Sequence, residues 1–247
     1  MQALSSFLLL ALLLSSSPLL ANKQIKLTSL DWPPYSGPTL PEKGASVAVV
    51  KAAFEASGYQ VQVDFFPWER AVALAKDPNK GYAGYFPEYY AQELEADCVF
   101  SEPIGTSPLG FAQHKQAPVT WIGLDDLSTL KIGVVSGYVN EAEFDKRVAA
   151  GKQPVEAVTG DDQNLKKVGV KRLPLAVIDK HVMNYLLNND PSLDSFKANI
   201  EFNGKLLEDK KLHVCFRKGP QSAEYSKALA DGLKKIDIEA ITKKHFQ

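Results

Sequence analysis

Apolar positions along the chain alternate between two periods. Ile25, Leu27 and Ser29 alternate with Lys26, Thr28 and Leu30, the period of a short strand. Trp32-Pro33-Pro34-Tyr35 then imposes an extended turn, because a residue before proline avoids the helical region. Val47, Val50 and Phe54 recur at helical spacing, and Gly58 stands where a helix C-terminus favours glycine. Val61, Val63 and Phe65 make a second strand. Pro67 opens a helix through Trp68, Arg70, Val72 and Leu74, which Asp77-Pro78 ends. Gly81 to Phe86 reads as a third strand, followed by a helix from about Glu88 to Glu95.

The second half repeats this grammar. Lys131 to Val135 is a strand ending at Ser136-Gly137-Tyr138. Asn140 with Glu143 three residues on has the form of a capping box, Phe144 and Val148 form the buried side of that helix, and Gly151 stops it. Leu173 to Ile178 is an apolar strand, with Val182, Tyr185 and Leu186 on one helical face after it. Leu212, Val214 and Phe216 mark a late strand. Tyr225, Leu229, Leu233 and Ile236 stripe a C-terminal helix that Ser222 is placed to cap. Strands alternating with helices predict an α/β protein with a parallel sheet covered on both faces. Two such units, about 23–110 and 130–200, flank a connecting segment at 110–130 that contains Pro118 and Asp125-Asp126.

The first residues break this pattern. Met1 to Ala21 carries no charged residue, and the apolar run Phe7 to Leu14 gives way to Ser15-Ser16-Ser17-Pro18 and a small residue at Ala21. Residues 1–21 read as a signal peptide, although Met1-Gln2 lacks the usual Lys or Arg; the alternative is a buried N-terminal helix. No Cys follows the run to carry a lipid. Composition supports an ordinary globular chain: 45% hydrophobic, 23% charged, 28 Lys+Arg against 29 Asp+Glu, and a net charge of -1. That balance gives no footprint for nucleic acid. His114, His181, His213 and His245 are scattered without metal-ligand spacing, and no nucleophile elbow, phosphate loop or zinc-protease motif is present. No metal, cofactor or catalytic residue is therefore expected, and binding is favoured over catalysis.

Five segments in order resemble the bacterial extracellular solute-binding proteins of polar amino acid uptake, family 3. They are the first strand with Trp32-Pro33-Pro34-Tyr35, then Val99-Phe100-Ser101-Glu102-Pro103, Lys131 to Gly137, Arg172 to Asp179, and Ile238 to Phe246. The resemblance implies a two-lobed periplasmic-binding-protein-like fold of type II, with mixed sheets and two hinge crossovers. These would lie near Gly110–Lys115 and Lys205–Leu212. Lobe 1 would comprise 22–111 and 213–247, and lobe 2 would comprise 112–212. It further implies a periplasmic monomer that closes over a small-molecule ligand and serves a transporter permease or a receptor. In this fold Cys98 and Cys215 would be neighbours, and an exported protein would pair them as a disulfide.

The family's carboxylate-clamping Arg falls on Leu94, no Arg lies between Arg70 and Arg147, and the "GT" loop Thr is Tyr138. An amine-bearing solute without a standard amino acid clamp is the resulting expectation. Asp179 matches the family acid that receives a ligand ammonium, and it also reads as the N-cap of the helix after it. Arg70 opposes a helix dipole, so it needs a partner, either a ligand anion or a surface acid. Trp32, Tyr35, Tyr85 and Glu88 are expected at the pocket from the first lobe. Gly137, Tyr138 and Asn140 are expected from the second, at a helix N-terminus suited to an anionic group. The competing readings are a dehydratase-like enzyme on the same fold, with Glu88 or Asp179 as the acid–base group, and a sensory partner.

Overall fold

The computed structural model describes residues 23–246. The signal-peptide reading of residues 1–21 therefore lies outside the described residues. The chain runs β1 (Lys23–Ser29), α1 (Ala45–Glu55), β2 (Tyr59–Phe65), α2 (Trp68–Lys76), β3 (Gly84–Tyr89), β4 (Cys98–Phe100) and β5 (Gly105–His114). It continues through β6 (Ile132–Val135), α3 (Ala142–Ala149), β7 (Val155–Val158), α4 (Asp161–Gly169), β8 (Leu175–Asp179) and α5 (Lys180–Asn189). β9 (Ile200–Phe202), β10 (Glu208–Arg217), α6 (Ser222–Leu233) and α7 (Ile238–Lys243) complete it.

The strands form one curled, mixed sheet in the order β2-β1-β3-β10-β5-β8-β6-β7, with β4 on β10 and β9 on β5. The outer pairs are parallel, as a βαβ grammar requires: β1 with β2 and β3, and β6 with β7 and β8. The central pairs are antiparallel, so the parallel sheet read from alternating strands and helices holds only within each half, and the sheet as a whole is mixed, as the resemblance implies. The cause of the antiparallel pairs is the two long strands. β5 pairs through Gly105–Leu109 with β10 and through Leu109–Gln113 with β8. β10 leaves β5 at Leu212 and continues against β3 and β4. Each half of the sheet thus carries its own helices, and only β5 and β10 belong to both. The fold is the mixed, two-lobed α/β arrangement that the sequence resemblance implies.

The core is continuous across the two halves. Ile25, Leu27, Val47, Val50 and Phe54 are fully buried in one, and Phe111, Ile132, Leu175 and Val182 in the other. The C-terminal helix α6 returns to the first half and packs so closely on α1 that a Cβ on Gly232 would collide with the Ala53 carbonyl. The expected disulfide is present: Cys98 and Cys215 are bonded, on adjacent strands β4 and β10.

Three local expectations are corrected. The third strand runs to Tyr89, and only a 3-10 turn at Gln92–Ala96 remains of the helix expected at Glu88–Glu95. Pairing of Glu88 and Tyr89 with His213 and Leu212 of β10 holds these residues extended. The cap of α3 is Glu141, whose carboxylate accepts from the amides of Glu143 and Phe144, while Asn140 lies before the helix. Ser222 is the first residue of α6, and its hydroxyl donates to the Gly219 carbonyl instead of capping.

Candidate functional site

The cleft lies where β1, β3, β6 and β8 end, the usual place for ligands in open α/β sheets. The loop after β1 folds back on itself: the Trp32 amide donates to the Ser36 carbonyl (2.7 Å) and the Ser36 hydroxyl to the Leu30 carbonyl (2.9 Å). This hairpin-like loop stacks the Trp32 and Tyr35 rings at 4.6 Å. Trp32 faces the cleft, and Tyr35 lies beneath it.

Two chambers occupy the cleft and share four lining residues, Trp32, Tyr89, Tyr138 and Val139. The first is completed by Trp68, Pro87 and Glu88, the second by Asn140, Asp161 and Asp179. In this arrangement the chambers are nearly closed up, with about 30 and 10 Å³ clear for a water-sized group, so a ligand enters only as the walls part. An outer groove of about 490 Å³ leads in past Asp31, Asp162 and Asp190. The first half of the molecule supplies the indoles and Glu88; the second supplies Tyr138 and the two aspartates.

Contacts across the cleft hold the halves together. The Trp68 indole N–H donates to the Gly137 carbonyl at 2.9 Å, and its ring meets Tyr138 edge-on at 6.0 Å. Gly137 has φ +75°, a left-handed conformation that favours glycine, and it presents this carbonyl to the opposite half. Near the C-terminus, Phe246 stacks on His181 of α5 at 4.4 Å and touches Tyr35 at 5.1 Å.

Asp179 is 1% exposed and fully engaged. Its Oδ1 accepts from the amides of His181 (2.6 Å) and Val182 (2.8 Å), which caps α5. Its Oδ2 accepts from the Ser107 hydroxyl (2.5 Å) and the Tyr35 hydroxyl (3.0 Å). Because the one Ser107 proton goes to Asp179, Tyr89 donates to Ser107 in turn, at 2.5 Å. Burial raises the Asp179 carboxyl, and the bonds from Ser107 and the Val182 amide oppose that rise.

Asp161 and Glu88 are different. Asp161, the first residue of α4, is 8% exposed, and among the described residues no backbone amide or basic side chain donates to it. Burial, reinforced by the Asp179 carboxylate, pushes it up to about 7, with the Trp32 indole opposing. Glu88 is 5% exposed; one oxygen accepts from the Tyr89 amide at 2.8 Å. Burial pushes it to about 8 against that bond and against Lys210. Lys210 is itself occupied, 3.0 Å from Glu208 Oε2 and over the Tyr89 ring. Among the described residues lining the two chambers and the groove there is no Lys or Arg.

The candidates from the sequence divide accordingly. Trp32, Glu88, Tyr138, Asn140 and Asp179 line the chambers. Tyr35 lies beneath as a donor to Asp179, and Gly137 contributes its carbonyl to Trp68. Tyr85 is buried behind Trp68, ring centroids 5.5 Å apart, and its hydroxyl has no partner among the described residues. Arg70 is exposed and lies over the Phe66 ring at 5.3 Å, outside the chambers, which answers its need for a partner without a ligand. Leu94 sits on the 3-10 turn, also outside them. The helix start expected to receive an anion is already filled. The amides of Asn140, Glu143 and Phe144 go to the carboxylates of Asp145 and Glu141. Sequence reasoning missed Asp161 and Trp68. Both open helices, where an acid or an aromatic carries no distinctive signal.

No protein-family model matches the sequence, and no curated relative does either. Solved structures match it over nearly the whole described chain. An amino acid ABC transporter substrate-binding protein, AbpA from Streptococcus pneumoniae, bound to L-arginine, superposes with a TM-score of 0.71 at 14% identity. It covers 90% of this chain and 94% of its own. A histidine kinase sensor domain similar to periplasmic binding proteins gives 0.73 at 17%, covering 90% and 96%. The ancestral amino acid-binding protein AncCDT-1, a precursor of cyclohexadienyl dehydratase, gives 0.66 at 15%, covering 90% and 93%. The fold of this chain is therefore the two-lobed, type II periplasmic-binding-protein-like fold that these structures share.

Proposed function

We propose that the protein binds a small amine-bearing solute between its lobes and hands it to a membrane transporter, after export through the signal peptide at residues 1–21. One observation carries the reading: an aromatic cavity shut between the lobes, walled by buried carboxyls and lined by no Lys or Arg among the described residues. Buried carboxylates without a cation are costly, and a ligand ammonium in the cavity relieves that cost. The indole and phenol faces of Trp32, Trp68 and Tyr138 suit the same cation. In this reading the lobes are 22–111 with 213–247, and 112–212, and they open about the β5–β10 pair. The ligand selects the closed form because it touches both walls.

A second reading has a specific observation behind it. Glu88 near 8 and Asp161 near 7 lie in the range where a buried carboxyl works as a general acid or base. A dehydratase acting on a carboxylate substrate would, however, need a cation to hold that carboxylate, and none lines the chambers among the described residues. The test is mass spectrometry of small molecules released when the purified protein is denatured. An amine recovered in stoichiometric amount supports the reading. A carboxylate without an amino group, or turnover of the released compound, overturns it.

A further inference from the structure

Two adjoining chambers, walled in part by the same aromatic residues, each carry a buried carboxyl. Glu88 comes from the first lobe and lines one chamber; Asp161 comes from the second and lines the other. Trp32, Tyr89, Tyr138 and Val139 form the waist common to both. Each acid is more than nine-tenths buried and lacks full pairing. Asp161 has only the Trp32 indole beside it, and among the described residues nothing but the Tyr89 amide donates to Glu88. Asp179, by contrast, has four donors and needs nothing from a ligand.

We propose that the ligand is a short aliphatic diamine, one ammonium at Glu88, the other at Asp161, and the methylene chain against the aromatic waist. The inference rests on the cleft being the solute site and adds the ligand's chemical class. A ligand with one amine leaves one of the two acids without a partner. An amino acid adds a carboxylate that would have to lie among acids without an Arg fork, and the helix start before α3 already holds Glu141 and Asp145. A diamine satisfies both ends and presents only apolar surface between them. The acids Asp31, Asp162 and Asp190 along the outer groove fit the same ligand, since a mouth of one sign concentrates the opposite charge.

The test is titration calorimetry on the mature protein, first unfolded and refolded to strip any carried ligand. The probes are 1,4-diaminobutane, 1,5-diaminopentane, 1-aminobutane, L-lysine and L-arginine. Either diamine is expected to bind at least about 30-fold more tightly than 1-aminobutane or lysine, the lower range for losing one partner of a desolvated pair. Glu88→Gln and Asp161→Asn should each bring the diamine close to the monoamine's affinity, and diamine binding should change tryptophan fluorescence. Lysine or arginine binding as tightly as the diamines, or diamine and monoamine binding alike, overturns the diamine assignment while leaving an amine site in the cleft. If none of the five saturates the protein, the diamine and amine-site readings fall together. If diamines bind but both variants bind them like wild type, the site is elsewhere and the inference fails.

Discussion

The second lobe puts two buried aspartates on the same cleft, and they differ in what their oxygens accept. Asp179 ends β8 and is held by two amides and two hydroxyls, one hydroxyl from the Tyr35 loop and one from β5. It joins three segments of chain. Asp161 starts α4, and the other lobe buries it with little in return. A carboxylate whose lone pairs are all taken is a structural clamp. One that is buried with its lone pairs free is waiting for a donor. Resemblance of sequence directs attention to Asp179; the arrangement of donors directs it to Asp161.

The largest expected effect separates the two by stability. Asp179→Ala removes the α5 cap and the acceptor of the Ser107 hydroxyl, while the Tyr35 hydroxyl keeps the Thr106 carbonyl at 3.2 Å; a loss on the order of 3 kcal/mol is expected in urea unfolding. Native stability in this variant would place Asp179 with Asp161 as a ligand group. Next, Asp161→Asn is expected to leave urea stability unchanged or raised, since an unpaired buried carboxyl is removed. The variant should weaken binding of the natural ligand by about 2 kcal/mol or more in calorimetry. Lost stability with intact affinity would reverse the comparison.

Acidity pairs Asp161 with Glu88, the other incompletely paired acid of the cleft. Glu88 and Asp161 have folded-state values near 8 and 7, above their ordinary 4.5 and 3.8, so the empty protein is stabilised by their protonated forms. That stability is full below about 4 and is lost as pH rises through 7 and 8. Around Glu88 the facing charge is Lys210; around Asp161 it is Asp179 and Asp162. The melting temperature of the stripped protein should fall from pH 6 to 9, and Glu88→Gln with Asp161→Asn should flatten the fall. A bound amine should shrink it too, because the ionised forms are then paired. A flat profile in the stripped wild-type protein would count against both shifts. The smallest effect is that of Ser107→Ala, which removes one of four donors to Asp179 and the acceptor of Tyr89. A loss of about 1 kcal/mol is expected in urea unfolding, and a loss no larger than surface noise would make the relay from Tyr89 unimportant.

Period and punctuation made β1, α1, β2, β6 and α5 legible: β1, β2 and α5 have one apolar face, and β6 and α1 are mostly buried apolar runs bounded by turn residues. β5 was hidden because Pro108 and Gly110 interrupt its pattern; it is a strand because β10 and β8 flank it. The helix read at Glu88–Glu95 failed for the same reason, as pairing with β10 overrode local preference. Helix α4, with its Asp161-Asp162-Gln163-Asn164 start, is too polar to announce itself. Of the cleft-lining residues, Trp32 and Tyr138 were singled out through the matched loops and Glu88 through the crowd of aromatics at the end of β3. Asp161 was not. An acid in a helix's first turn is commonplace, and its meaning comes from the opposite wall, which no local pattern encodes.

The disulfide bears on how the molecule can bend. Cys215 fastens the far half of β10 to β4, and the neighbouring pairing with β3 stiffens it further. Compliance is thereby left to the stretch where Glu208–Leu212 runs beside Gly105–Leu109. That two-stranded ribbon resembles a leaf spring clamped at one end by a covalent bolt. Flexure is easy across its thin direction and resisted in shear, because sliding would break the ladder. In the proposed opening the lobes are therefore expected to swing along one arc, whose closed end is marked by the Trp68 bond to the Gly137 carbonyl.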